Sequence, residues 1–200
     1  MYLFFFYDIL IYSKTWEDHL GHLQIILKTL RQSQFFANTK KWEFGRREVH
    51  YLGHVVSREG VKMDPQKVAA IEQWPTPKNI KALRGFLGLT GYYRRFIQDY
   101  GKIARPLTQL LNKGGFGWID ESTRAMDKLK RAMTSASVLI LPDFNGPFYI
   151  ECDALDKGIG VVLSQNKRPI AFFSKALAEA SLAKSIYEKE LMALVLAIQH

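Results

Sequence analysis

The sequence predicts an α+β chain. Three observations predict it: two short apolar runs meeting at Tyr7-Asp8, an all-helical basic stretch over residues 78–113, and a return to alternating strands after about residue 137. Two hundred residues, 48% hydrophobic and 24% charged, suffice for one large or two small packed domains. The expected division is 1–63, 64–136 and 137–200.

Aromatic and β-branched residues over 2–6 and 9–12 read as two strands whose turn presents Asp8 outward. A carboxylate at a tight turn between strands can carry a metal ion for phosphoryl transfer. Thr15 has Asp18 three residues on, and Leu20, Leu23, Leu27 and Leu30 follow at helical spacing, so an amphipathic helix should cover that ribbon. Val49, Tyr51, Gly53 and Val55 alternate towards Ser57-Arg58-Glu59-Gly60, and Val61 and Met63 resume the pattern, which is that of a hairpin with a glycine-containing turn. Asp64-Pro65 and Thr76-Pro77 each place a capping side chain before a proline that suits the first position of a helix.

Over residues 78–113 the chain reads as short helices broken at Gly91, Gly101 and Pro106. The expected buried set is Leu83, Phe86, Leu87, Tyr92, Phe96, Leu107, Leu110 and Leu111. Lys78, Lys81, Arg84, Arg94, Arg95, Lys102 and Arg105 alternate with Tyr92, Tyr93 and Tyr100, a mixture that can meet phosphates and sugars on one surface or form a solvated face over a tyrosine core. Gly114-Gly115 loosens the chain before a helix over about 120–133, with Ala125, Leu129, Ala132 and Met133 on one side.

Three strands follow, around Phe148, Ile150 and Cys152, over 158–163 and over 169–173, leading to a helix from about Ser185. Asp153 follows the first strand. On the helix, Tyr187, Leu191, Leu194, Val195 and Ile198 form one apolar stripe with Glu188 and Glu190 on its opposite margins. One of these glutamates can face Asp153, and helical geometry does not choose between them. Carboxylates brought together from a strand and a helix can hold divalent metals about 4 Å apart for phosphodiester hydrolysis.

Twenty-eight Lys and Arg against nineteen Asp and Glu give a net charge of +9, a balance that attracts polyanions. A single cysteine, Cys152, excludes an internal disulfide framework and fits a reducing, intracellular setting. His19 and His22 lack the further ligands of a zinc site and read as helix-surface residues. The apolar start lacks a basic n-region and a cleavage site, and Asp8 interrupts it, so neither a signal peptide nor a membrane span is expected.

Taken in order, FFYDILIYS, YLGHVVSREGVKMDPQKVAAIEQWPTP, LRGFLGLTGYYRRFI, LPDFNGPFYIECDA and YEKELMALVLAIQ resemble the pol polyprotein of gypsy-type LTR retrotransposons over essentially the whole chain. The resemblance implies the C-terminal part of a reverse transcriptase palm, a helical thumb or connector, and the N-terminal half of an RNase H-like α/β domain. It implies RNA-directed DNA synthesis and cleavage of the RNA strand of RNA–DNA hybrids. Mg2+ or Mn2+ would be the cofactor, with template-primer, hybrid and dNTP as partners and other pol segments beside it.

By that resemblance Asp8 is the second metal-binding aspartate of an aromatic-x-Asp-Asp motif, with Tyr7 in place of the first. A neutral phenol replaces a hard carboxylate there. Lys41 falls where the family has a lysine near the incoming nucleotide, followed by Trp42 where cysteine is usual. Leu52, Gly53 and His54 resemble the primer grip, and Arg84, Tyr92, Arg94 and Arg95 lie in the thumb-like stretch. Asp153 matches the first RNase H aspartate, and Glu190-Leu191-Met192-Ala193 matches the segment of the catalytic glutamate, favouring Glu190 over Glu188. The fingers and front palm would precede Met1 and the later RNase H strands would follow His200. The isolated chain is therefore expected to be catalytically silent, and its other role would be that of a non-catalytic nucleic-acid binder.

Overall fold

The computed structural model describes residues 2–5, 8–112, 116–155, 158–177, 181 and 183–199. Tyr7, Lys113, the Gly114-Gly115 linker and His200 lie outside the described residues. The chain divides into two compact units, Met1–Leu52 and Gly53–His200.

In the first unit β1 (Tyr2–Phe5) and β2 (Asp8–Ile11) pair antiparallel, with Phe5 opposite Asp8 and Tyr2 opposite Ile11. Helix α1 (Trp16–Gln32) starts where expected, because the Thr15 hydroxyl accepts the Asp18 N–H at 3.1 Å. Its inner face differs from the expected leucine stripe. Ile26 is buried and His19, His22, Leu23 and Leu30 are half-buried, whereas Leu20 and Leu27 are exposed. The Ser13 hydroxyl lies 2.7 Å from His22 Nδ1 and 3.4 Å from His19 Nδ1, which turns the histidine side inward and rotates the helix by about one residue. A short 3-10 turn (Thr39–Lys41) and β3 (Glu48–Tyr51) complete the unit. The expected strand through residue 55 is split, since Leu52 and Gly53 both adopt left-handed φ (48° and 69°).

The second unit opens with the hairpin β4 (His54–Ser57) and β5 (Gly60–Met63), in which Ser57 faces Gly60. Helix α2 (Pro65–Glu72) is capped by Asp64, whose carboxylate accepts the Gln66 N–H at 2.8 Å, with Pro65 at its first position. Helix α3 (Ile80–Tyr92) is capped by Asn79 and not by Thr76, so Pro77 stays outside it. It runs through Gly91 without a break. A 3-10 turn (Arg94–Phe96) leads to α4 (Tyr100–Gln109), which contains both Gly101 and Pro106, and α5 (Asp120–Thr134) follows. Their shared core is Ile71, Leu83, Phe86, Tyr93, Phe96, Leu107, Leu129 and Met133.

A three-stranded antiparallel meander, β6 (Tyr149–Leu155), β7 (Gly158–Gln165) and β8 (Arg168–Ala176), ends the fold together with α6 (Ile186–Ile198). In register, Cys152 faces Val161, Asp153 faces Gly160, and Gly160 faces Ser174. Alternation therefore gives the sheet two unlike faces. Ala154, Ile159 and Val161, with Cys152 and Phe173, pack with Ala193 of α6. The other face receives α4, because Gly101 has no Cβ: one would lie 3.2 Å from the Ser174 carbonyl and 3.3 Å from the Ala176 nitrogen. Gly101 N–H donates to Ser174 Oγ at 2.7 Å.

Helix α6 packs through Lys189, Met192, Ala193, Leu196 and Ala197, the reverse of the expected stripe. Tyr187, Leu191, Leu194, Val195 and Ile198 are exposed. A small residue, Ala193, lets the helix approach the sheet closely, and that outweighs the bulkier apolar side. Leu139 and Val61 exchange backbone hydrogen bonds of 2.7 and 2.9 Å, and Ile140 N–H donates to the Pro169 carbonyl at 2.9 Å. The β4–β5 hairpin and the meander thus share one connecting segment.

Candidate functional site

The turn into the hairpin is held by aromatic side chains. Tyr93 is 1% exposed, and its hydroxyl donates to the Gly53 carbonyl at 2.6 Å, while the Asp64 N–H reaches the same oxygen at 3.3 Å. His54 stacks on Phe96 at 5.6 Å between ring centroids and meets Tyr92 and Tyr93 at 5.3 and 5.5 Å. Burial, then the charge of Asp64 and the neighbouring Tyr92, push the Tyr93 phenol up to about 12, so it stays a donor at any ordinary pH. A Cβ on Gly53 would lie 3.2 Å from that hydroxyl.

This site departs from the expected buried set in one respect. Tyr92 is 53% exposed and Tyr93 is the core residue. The spacing Leu83, Phe86, Thr90, Tyr93 follows a helical face and was the signal available for it. Exposed Tyr92, Arg84, Arg94 and Arg95 stand on α3 and the turn after it. Two tyrosines side by side thus divide the work: one locks the turn and the other faces solvent beside arginines.

The carboxylates are arranged differently. Asp8 opens β2 and is exposed; burial first and the Asp8 charge second raise the pKa of Tyr51, whose hydroxyl is buried without a hydrogen-bond partner among the described residues. Asp153 lies on the α4 face of the meander, where Lys102 Nζ reaches its Oδ2 at 3.3 Å and Asp99 Oδ1 at 2.9 Å. Glu190 belongs to the α6 side, where its charge adds to burial in raising the Cys152 thiol. Glu190 is thus felt at Cys152, the chain neighbour of Asp153, whereas the cation that touches Asp153 is Lys102. Glu188 closes a capping box with Ser185 instead of facing the strand.

Comparison with known proteins bears on this architecture. Residues 1–56 match the family model for reverse transcriptase (RNA-dependent DNA polymerase), and residues 118–200 match that for the RNase H-like domain found in reverse transcriptase. The Pol polyprotein of transposon 297 of Drosophila melanogaster is 41% identical over 192 residues, covering 94% of this chain and 18% of that protein. That of transposon gypsy is 38% identical over 96% of this chain and 20% of its own length. The chain belongs to the reverse transcriptase/RNase H family of retrotransposon Pol polyproteins.

It spans about a fifth of the length of these Pol polyproteins. An uncharacterized mitochondrial protein of Arabidopsis thaliana is 51% identical over 131 residues, 64% of this chain and 83% of that one. Among solved structures, the foamy viral protease-reverse transcriptase in complex with RNA/DNA hybrid superposes with a TM-score of 0.87 at 25% identity, covering 95% of this chain and 27% of that one. Its form in complex with double-stranded DNA gives 0.86 at 26%, covering 96% and 35%.

Reverse transcriptase and RNase H domains depend on divalent metal ions. The described residues do not fit such an ion. Mg2+ and its relatives need several hard oxygen donors at once, whereas Asp8 stands beside a phenol and Asp153 beside an ammonium group. Among the described residues no three acidic, histidine or cysteine side chains converge. Nor, among them, is any helix long and apolar enough to cross a membrane.

Proposed function

We propose that this chain is the template-primer-gripping segment of a polyprotein that copies RNA into DNA and cleaves the RNA strand of RNA–DNA hybrids inside the cell. The supporting observation is the lock on Gly53: a left-handed turn whose carbonyl is held by buried Tyr93, beside His54, Tyr92 and a group of exposed arginines. A rigid backbone turn next to cations suits the placement of a primer end, since phosphate contacts position a strand without reading its sequence. Arg84, Arg94 and Arg95 would meet phosphates, Tyr92 a sugar or base face, and Leu52, Gly53 and His54 the primer terminus.

In the working polyprotein the partners would be template-primer, hybrid, dNTP and other pol segments, and the ion Mg2+ or Mn2+. Asp8, Asp153 and Glu190 are the acidic positions of this chain that the family would use for it. As arranged here they make no cage of their own. The chain alone is accordingly a binder without catalysis.

Binding of a labelled primer-template between 50 and 200 mM salt tests this reading. Three arginine contacts predict a log–log slope of about −3, falling towards zero when Arg84, Arg94 and Arg95 are all changed to alanine. A flat salt response, or unchanged binding by the triple variant, refutes the grip. Primer extension or hybrid cleavage by the parent chain, abolished by Asp8→Ala or Asp153→Ala respectively, refutes the absence of catalysis.

A further inference from the structure

One arrangement outside the grip remains to be explained. The segment 98–102 enters the bare face of β7 at two glycines two residues apart. A Cβ on Gly160 would lie 2.7 Å from Asp99 Oδ1, and one on Gly158 would lie 2.9 Å from Lys102 Cγ. Asp99 and the Lys102 stem therefore occupy space that any other residue at those positions would fill. Lys102 Nζ then bridges Asp99 Oδ1 at 2.9 Å and Asp153 Oδ2 at 3.3 Å.

The local backbone is bent to deliver this contact. Asp99 takes a left-handed φ of 58° at the start of α4 and makes no capping hydrogen bond with its side chain. An aspartate there would ordinarily accept an amide of the first turn, and a non-glycine residue in that region is disfavoured. Its carboxylate goes to Lys102 instead. Gly101, between the two, brings α4 against Ser174 and Ala176.

We infer that Asp153 in this chain is the anchor of a helix–sheet joint, its counter-cation the Lys102 ammonium, and not a metal ligand. The tethered cation is already lodged between two carboxylates, with its stem in the glycine cradle. A divalent ion would have to compete with that tethered ammonium for Asp153 Oδ2. The joint explains why the connector helix meets the meander at this place, whether or not the grip binds nucleic acid.

Two measurements on the full 200-residue chain test it. The first is Mn2+ titration followed by paramagnetic broadening of the amides of residues 99–103 and 150–154. No saturable, site-selective broadening is expected below millimolar ion. Saturable broadening that Asp153→Asn removes would overturn the proposal. The second is a double-mutant cycle of Lys102→Met and Asp153→Asn in urea unfolding. The pair is expected to couple by about two- to five-fold in the unfolding equilibrium, with Lys102→Arg retaining most of it. Additive effects within error would equally overturn it. Neither readout depends on nucleic-acid binding, so failure here is distinguishable from failure of the grip.

Discussion

Replacing Tyr93 by Phe removes one oxygen from the contact that holds the Gly53 turn and leaves the buried ring in place. The lost bond is short, 2.6 Å to the Gly53 carbonyl, but that oxygen keeps the Asp64 N–H at 3.3 Å and is not orphaned. The cost is therefore that of one net hydrogen bond, about 0.5–1.5 kcal/mol, and not the larger penalty of a stranded polar group. For a unit of this size that corresponds to roughly 1–6 °C in Tm. Urea unfolding followed by Trp74 and Trp118 fluorescence measures the total. Hydrogen exchange at the amides of Val55, Val61 and Asp64 localises it, with faster exchange expected there and little change in α5. Because the folded pKa of Tyr93 is raised to about 12, its contribution is complete below pH 10 and is lost as pH climbs from 10 through 12. A Tyr93→Phe chain within about 0.2 kcal/mol of the parent, with unchanged exchange in the hairpin, would refute the lock.

Three further outcomes follow from the packing. Gly101→Ala pushes a methyl group to 3.2 Å from the Ser174 backbone, which cannot swing aside, and should cost about 1–3 kcal/mol in thermal unfolding. At Gly60, φ is 137° and a Cβ would fall 2.0 Å from the Leu139 carbonyl, so Gly60→Ala should break the Val61–Leu139 bridge and expose those amides to exchange. The backbone and side chain of Ser185, then Lys184, hold the Glu188 carboxyl below its ordinary range. The start of α6 is accordingly most stable above the usual glutamate range and weakens as pH falls through the lowered value. Circular dichroism should show that loss in the parent and not in Glu188→Gln.

Local signals were legible where side chain and backbone interact within a few residues. Thr15, Asp64-Pro65, the Ser57–Gly60 turn and the helix after Trp118 all read correctly, because caps and turns are short-range chemistry. The helix faces were harder. On α6 apolar residues lie on most sides, so periodicity favoured the bulky stripe, and the choice fell to Ala193 through its fit against a sheet dozens of residues away. On α1 the rotation depends on Ser13 and two histidines that no hydrophobicity pattern registers. Thr76-Pro77 imitated a cap three residues before the true one at Asn79. The partner of Asp153 was not legible, since Lys102 meets it across 51 residues of chain.

The backbone stitch at Leu139 and Ile140 makes this stretch a poor place to cut. Severing the polypeptide just before Leu139 would strip the amide and carbonyl of Val61 of their mate, and severing it just after Ile140 would strip the carbonyl of Pro169 of its own. Halves expressed on either side of such a cut should be less soluble than the uncut chain. A transposon copy interrupted just before the codon for Leu139 would lose the mooring of its β4–β5 hairpin along with everything downstream.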